Sequence, residues 1–541
     1  MITLLSFFSP RQSQKMLLLG GSLLVVIGSI ILQNTGVFPL DGVTFLFFSF
    51  VTLLAALYRP SSVFLFFIAV LPLETINIAP ALAGGVMLRP YQWLTVILLL
   101  AVATRFFSGR LPFRLFRWQW FDIFPVLIVI GAFIALVNAP VVSLAVKQAL
   151  VVTSFVAVYF LGRIFFRTIH DVYQALPFFL VSSLAVLGYA LWQNIRAFLG
   201  QESFQVMIGR PNATFAEADW LGMFVLLVLG AALIILFRSL TPALAGVTKK
   251  YSLIKKVLAT LFLTGVFTVL MVTVARSAWI GALGLVGVFL LGVLSMNRTN
   301  QMKTNWRRTV PLGLSVGGSF LLALVLIAVF HLSPFQLFNR IQSTGGFQEI
   351  TIACEQDSSL PVAGGRITDM AQLSEWHCRH IMLEEVELEQ RAGRFVSTVY
   401  RDDPNVSIRK QIYTRVGNIL VEHPLLGIGW GSASFFLGSD ERGAGLNASN
   451  VFFEVWLGSG ILGLVAFVLF LSALFWASWQ WYRESENETE QLFSLFLFST
   501  LLGMIVFDLF NSGILLGFFF IFLSLGTLAL ETKGVLVRVN K

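Results

Sequence analysis

Two arginines stand out by their setting. Arg210 lies in MIGRPNATFAEADWLG (207–222) and Arg276 in VTVARSAWIGA (272–282), each beside long apolar runs. A guanidinium keeps its charge near neutral pH and offers a planar fork of N–H donors, the geometry that phosphate oxygens accept in pairs. Such a charge at the edge of an apolar layer is costly unless it is paired or faces a polar cavity. Arg276 therefore reads either as a ligand for an anion or as an interfacial side chain reaching lipid headgroups. Arg210 has a similar choice. It is a turn residue ahead of a helix that Glu217 and Asp219 begin, or a cation paired with those carboxylates at the mouth of a cavity.

The long hydrophilic stretch 332–450 supplies the other candidates. In VSIRKQIYTRVGNILVEHPLLGIGWGS (406–432), Ile408, Ile412, Val416, Ile419 and Leu420 recur at helical spacing, with Arg409 and Arg415 on other faces. Pro424 ends this helix after His423, which is either a catalytic group or a helix-end cap. Gly427, Gly429 and Gly431 then permit a tight turn able to approach a ligand. His377 and His380 flank Cys378 as a His-x-x-His pair, but no third ligand is evident once Cys378 is bonded, so no metal is expected. Cys354 and Cys378 are the only cysteines. They read as a disulfide contributing about 3 kcal/mol in an oxidising compartment, or as two buried thiols. An amphipathic helix is expected over 381–400. Asp508 and Asn511, near the end of a late apolar run, either line a cavity with Arg276 or hold neighbouring helices together.

Membrane helices must position these groups. The chain has 541 residues, 57% of them hydrophobic and 12% charged. About fourteen apolar runs are long enough to cross about 30 Å of hydrocarbon. They fall near 16–33, 42–58, 62–79, 90–106, 121–138, 146–164, 172–193, 219–237, 257–275, 277–295, 309–331, 451–478, 491–509 and 512–530. The runs are continuous rather than alternating, which excludes barrel strands. The expected fold class is an all-α polytopic membrane protein in three parts. An N-terminal bundle over 1–331 has about 11 spans, 332–450 forms a large, partly helical extracytoplasmic loop, and 451–541 adds about three spans and a tail. The first run follows Arg11 and Lys15 as a signal peptide would, but Gln33-Asn34-Thr35 is no small-residue cleavage site, so it reads as an uncleaved span.

The net charge of +9 has a membrane explanation. With the N-terminus inside, the inner connections gather Arg11, Lys15, Arg59, Arg105, Arg163, Arg238, Lys255, Arg308, Arg483 and Lys533. The short outer ones hold only Arg89, Lys147, Arg196, Arg210 and Arg276. That asymmetry is the positive-inside pattern. It sets both termini in the cytoplasm, 332–450 outside, and the chain in the cytoplasmic membrane. It also removes nucleic acid as a partner, because the basic excess belongs to the inner loops.

With these residues assembled, the sequence resembles the O-antigen ligase and O-antigen polymerase superfamily of bacterial envelopes. Four blocks carry the resemblance: GRPNATFAEADWLG (209–222), ARSAWIG (275–281), RKQIYTRVGNILVEHPLLGIGWGS (409–432) and NASNVFFEVWLGSGILGL (447–464). It implies a membrane glycosyltransferase that takes a polyprenyl-diphosphate-linked oligosaccharide as donor and a saccharide hydroxyl as glycan acceptor, with no cofactor and no metal. Arg210 and Arg276 match the arginines that bind the diphosphate, and Arg409 matches the one ahead of the His-Pro block. Arg415, Asp219, Ser449 and Asn450 join them as candidate substrate ligands. Where ligases carry Ala-His-Asn, this chain has Ala448-Ser449-Asn450. Ser449 is no base near neutral pH unless another group activates it, so this departure favours a polymerase or another branch of the superfamily, with Glu217, Asp219 or His423 supplying any base. Other polysaccharide-assembly membrane proteins are further candidate partners. Glu217-Ala218-Asp219 also has the acidic-x-acidic form of metal-dependent transferases. A competing reading is an anion transporter, for inorganic carbon, although the inner halves of the spans show few ionisable residues. A third is an accessory protein whose loop binds a partner.

Overall fold

A computed structural model describes residues 10–80, 87–111, 115–240, 249–296, 302–333, 347–355, 365–367, 371–381, 385–402, 404–439 and 445–533. The chain forms two units, one of Met1–Pro334 with Leu420–Lys541 and the other of Phe335–Ile419.

The larger unit is built of helices. Its first part comprises α1 (Pro10–Asn34), α2 (Gly42–Tyr58), α3 (Pro60–Val70), α4 (Pro90–Phe107), α5 (Ile123–Ile134), α6 (Val142–Phe165), α7 (Ile169–Phe198), α8 (Ala218–Leu240), α9 (Lys249–Val272), α10 (Arg276–Ser295) and α11 (Met302–Val329). Among the described residues, eleven helical segments of the chain are long and apolar enough to cross a membrane, and three shorter apolar helices are α2, α3 and one near the C-terminus. The fold class is the one expected, an all-α polytopic membrane protein. Local chemistry sets the helix starts. Asp41 accepts from the amides of Val43 and Thr44 ahead of α2, Thr168 and Asp171 form a reciprocal cap on α7, and Pro60 and Pro90 open α3 and α4.

The run 62–79 departs from expectation, because its helix stops at Val70. Pro72 follows two residues on and cannot continue it. The extended backbone beyond finds partners instead of a helix: Glu74 and Thr75 amides donate to Thr214 O at 3.1 and 3.0 Å, and the Ile78 amide donates to Leu88 O at 3.0 Å. Irregular backbone among apolar helices is tolerated where protein satisfies it in this way.

Side-chain contacts sort the helix ends into two groups. At the basic end, Arg59 donates to Gln14 (3.0 Å), Lys15 to Gln174 (3.5 Å), and Arg238 to Tyr173 (2.7 Å). Fully buried Arg163 belongs here, tied to Asp122 at 3.0 Å and Glu531 at 2.7 Å, with Tyr159 donating to the same aspartate. Burying one charge requires such complete pairing. The opposite end holds Glu74, Arg89, Arg210 and the α9–α10 turn.

The smaller unit contains a four-stranded sheet: β1 (Phe347–Cys354), β2 (Arg366–Ile367), β3 (Cys378–Ile381) and β4 (Phe395–Asp402), in the order β2-β4-β1-β3. β1 runs antiparallel to β3 and β4, and β2 parallel to β4. Short helices α12 (Ala371–Glu375) and α13 (Val386–Arg391) lie in its connections. The continuous helix expected over 381–400 is therefore a strand end, α13 and most of β4. Ile350, Ile352 and Cys354 alternate inward onto Val399 and Ile367, the two-residue period of a strand. Cys354 and Cys378 face each other across β1 and β3 and are joined by a disulfide. Arg379 and Arg394 both bond the nearly buried Glu389.

α14 (Pro404–Glu422) leads from this unit back to the helices, with Ile412, Val416, Ile419 and Leu420 buried and Ile408 exposed. It is followed by α15 (Ala433–Leu437), α16 (Val451–Glu484), α17 (Glu488–Asp508) and α18 (Gly517–Lys533). α16 is broken at Gly460, whose φ of 64° and ψ of −171° no helix admits.

Candidate functional site

The site is a group of hydrogen bonds at the end of the helical unit away from the basic one. Arg210 closes a turn by donating its amide to Met207 O at 3.0 Å, with Gly209 at φ 79° in the third position. Its guanidinium is then fixed from two sides. Nε donates to Thr273 O at 2.9 Å, and Nη2 meets Asp219 Oδ1 at 3.3 Å. Thr273 begins the tight turn between α9 and α10, so Arg210 is clamped to the turn that presents half-buried Arg276. Arg276 itself opens α10, with Ala275 as its cap residue.

The turn is compressed. Val274 has φ 55°, a left-handed conformation that costs a β-branched residue about 1–3 kcal/mol. Gly222 of α8 lets the turn come close, since a Cβ there would lie 2.9 Å from that of Ala278 and 3.2 Å from that of Ala275. Phe204, Ala213 and Ser449 also have left-handed backbone in loops of this end.

From α10 the contacts continue. Asn511 donates to Ser277 Oγ at 2.7 Å, and Asn450 donates to Leu509 O at 3.0 Å while its carbonyl caps α16 at Phe452. Glu454, in the first turn of α16, accepts from the Ala448 amide at 3.0 Å. Asp508 is 2% exposed, and its Oδ1 has no hydrogen-bond partner among the described groups. Arg210, Asp219, Arg276, Ser449 and Asn450 thus come to one end, together with Asp508 and Asn511. Glu217 stands exposed one residue before α8.

A second network supports the first. Glu74 is 2% exposed; its carboxylate pairs with Arg89 Nε (2.9 Å) and accepts from Tyr91 Oη (2.8 Å) and the Gly517 amide (2.9 Å), while its backbone carbonyl accepts the Arg89 Nε–H (2.9 Å). Its own backbone pairs with Thr214, four residues past Arg210. Sequence reasoning passed over Glu74 as part of an apolar run. A lone carboxylate between apolar segments was the signal that marked it. Glu454 was missed inside the block 447–464 for a similar reason, an acid among apolar neighbours.

His423 is placed with different elements. Half-buried, it accepts at its carbonyl from the Gly427 amide at 3.1 Å, and the Ile428 and Gly429 amides donate to Leu457 O at 2.8 and 3.1 Å. A Cβ on Gly427 would stand 2.4 Å from Leu457 O, one on Gly460 2.4 Å from Leu425 O, and one on Gly431 2.8 Å from Gln148 Cγ. Trp430 donates to Ser459 Oγ, which donates on to Ile128 O. The glycine turn therefore locks into the break of α16, and its open backbone lies against protein instead of facing a ligand. Arg409, half-buried, and Arg415, exposed, both lie in the part of α14 that belongs to the sheet-containing unit. His377 has left-handed backbone just before β3, and His380 pairs with Ile352 on β1.

Fixed guanidinium groups beside carboxylates and amides can bind an anion, stabilise charge that develops on it, and orient hydroxyl groups nearby. Fold and site together define a polytopic helical membrane protein with an arginine-bearing polar site at one end. Residues 259–468 match the O-antigen ligase family model, and this segment, less than half of the chain, places the protein's resemblance in the O-antigen ligase superfamily. The match supports a membrane glycosyltransferase of the ligase or polymerase type, and with it a lipid-linked glycan substrate. Arg276, Arg409, Arg415, His423, Ser449 and Asn450 fall inside the matched segment, and Arg210, Glu217 and Asp219 outside it. No curated protein and no solved structure matches the chain.

Proposed function

We propose that the protein is a glycosyltransferase of the outer face of the cytoplasmic membrane that extends or transfers polyprenyl-diphosphate-linked glycan units, acting as a polysaccharide polymerase. The observation that carries this reading is the clamp of Arg210 onto Thr273, which joins two arginines from separate parts of the sequence at one polar end. In the reaction the anomeric carbon–oxygen bond breaks and its electron pair moves onto the diphosphate. Arg210 and Arg276 stabilise that charge with donors fixed beforehand. An acceptor hydroxyl oxygen forms the new bond and gives its proton to Glu217, Asp219 or His423.

Arg409 and Arg415 are assigned to the diphosphate or glycan, Ser449 and Asn450 to the sugars, and no metal ion takes part. Serine at position 449 favours chain extension over ligation to a separate acceptor. In this reading both termini are cytoplasmic, 1–331 and 451–541 are the membrane parts, 332–450 is extracytoplasmic, and other polysaccharide-assembly proteins are partners.

The test is a reaction with purified protein in detergent and a polyprenyl-diphosphate oligosaccharide, with and without chelator. A ladder of products that survives chelator is expected. Transfer only to a separate acceptor would make the enzyme a ligase, and loss of the ladder in chelator would return a metal to Glu217 and Asp219. No reaction with several donors, alongside uptake of labelled bicarbonate, would replace the enzyme with a transporter.

A further inference from the structure

A cavity of about 420 Å³ opens behind the Arg210 loop, between the end of α1, the last turns of α7 and the residues on either side of the turn at Gly209. Its size is within the range of small-ligand sites, about 300–1,000 Å³. The chemistry of its walls is unlike that of the arginine station beside it. Gln33, Asn34, Gln205 and Asn212 contribute four side-chain amides, Thr75 and Thr214 hydroxyls, and Tyr189 and Phe204 aromatic rings. No Lys, Arg, Asp or Glu is among the lining residues.

The walls are held in place by hydrogen bonds within the protein, which leave the Asn34 amide nitrogen and the Gln33 amide over. Tyr189 donates to Asn34 Oδ1 at 2.9 Å, which turns the Asn34 amide nitrogen to other use. Gln205 and Asn212 accept from the Gly209 and Val206 amides at 2.8 and 3.2 Å and donate to Asn194 Oδ1 and Phe215 O at 2.5 and 2.6 Å, so both are held rigidly as walls. Trp192 stacks on both aromatic walls, with ring centroids 5.5 Å from Tyr189 and 6.2 Å from Phe204, so the two rings are stiffened from behind.

We infer that this cavity is a saccharide subsite, which takes one or two neutral sugar units of the glycan whose diphosphate lies at Arg210. The inference rests on the proposed function and adds where the sugars sit. An amide donates and accepts at once, as a sugar hydroxyl does, and aromatic faces cover the C–H faces of a pyranose. An anion gains nothing from walls without a cation, and a lipid chain would leave the Gln33 amide and the Asn34 amide nitrogen facing hydrocarbon. Asn212 and Thr214 line the cavity two and four residues from Arg210 in the same loop. Sugar and diphosphate sites of that separation would be set by one piece of backbone.

The experiment measures two bindings to the purified protein: free oligosaccharide by saturation-transfer NMR, and polyprenyl diphosphate without sugar by calorimetry. Asn34→Ala is expected to weaken oligosaccharide binding and raise the donor KM about tenfold, with kcat and polyprenyl diphosphate affinity little changed. Gln33→Trp, at an exposed position on the cavity rim, is expected to block oligosaccharide binding by filling the space. If both variants bind oligosaccharide as the native protein does, or if the native protein binds polyprenyl diphosphate and no sugar, the subsite is overturned while the transferase reading stands. If the native protein binds neither, the proposed function itself has failed.

Discussion

Arg210 reaches across from the loop ahead of α8 and donates its Nε–H to the carbonyl of Thr273, three residues before Arg276. One arginine therefore holds the turn from which the other emerges. The two are not independent ligands, and substitution of either should disturb the other.

Arg276→Ala should lower glycan transfer by about 100- to 1,000-fold, the loss typical of removing one preorganised donor to developing charge. Arg210→Lys should cost a similar factor, because an ammonium cannot reach Thr273 O and Asp219 in one plane as the fork does. The double variant should lose much less than the product of the two. Rates on purified protein of normal elution volume decide this, and strict multiplicativity would contradict the shared turn.

Asp219 is already engaged with Arg210 at 3.3 Å, a contact that positions the guanidinium. Asp219→Asn should keep kcat to within about tenfold, whereas loss of an obligatory base costs about 100- to 10,000-fold. A thousandfold fall would identify Asp219 as the base.

The lock between the glycine turn and α16 predicts a stability phenotype. Gly427 has φ 70° and two carbonyls within 2.6 Å of where a Cβ would stand. Gly427→Ala and Gly460→Ala should each destabilise by about 2 kcal/mol or more, read as an earlier thermal unfolding of detergent-solubilised protein. Gly287→Ala, where a Cβ meets nothing within 4 Å, should leave the midpoint unchanged or raise it slightly.

The sheet-containing unit should respond to acid and to reductant. Burial pushes the Glu389 carboxyl up, but the hydrogen bonds and charges of Arg394 and Arg379 outweigh it and hold it below the usual carboxylate range. A depressed value contributes stability above the ordinary titration range and loses it as pH falls through the folded value. Hydrogen-exchange protection of β1, β3 and β4 should thus hold at neutral pH and decline below about pH 4, with Glu389→Gln flattening the dependence. Reducing Cys354–Cys378 should lower the stability of this unit by about 3 kcal/mol at any pH.

The helices were legible because length and hydropathy report directly on a bilayer crossing, and among the described residues eleven helices long and apolar enough to cross lie where the apolar runs do. The arginines were legible because charge is conspicuous beside such runs. Three things were not. Pro72 ends α3 early, yet the apolar run continues past it, so hydropathy alone hides the extended segment that supports Thr214. In the sheet, β1 and β4 have eight residues each, but β2 and β3 have only two and four, too few for a period of two to show, and the pairing of β1 with β4 joins segments about forty residues apart. The role of Gly427, Gly429 and Gly431 depends on the break at Gly460, some thirty residues away, and glycine spacing cannot distinguish a backbone that approaches a ligand from one that approaches another helix.

The arrangement of helix starts has an electrostatic consequence. α4, α8, α10, α16 and α18 all begin at the end that holds Arg210 and Arg276. Each start carries the partial positive charge of unpaired amides, about half an elementary charge at most. Neither those dipoles nor a guanidinium loses its positive character on either side of neutral pH, so the attraction of this end for anions does not depend on the acidity of the medium.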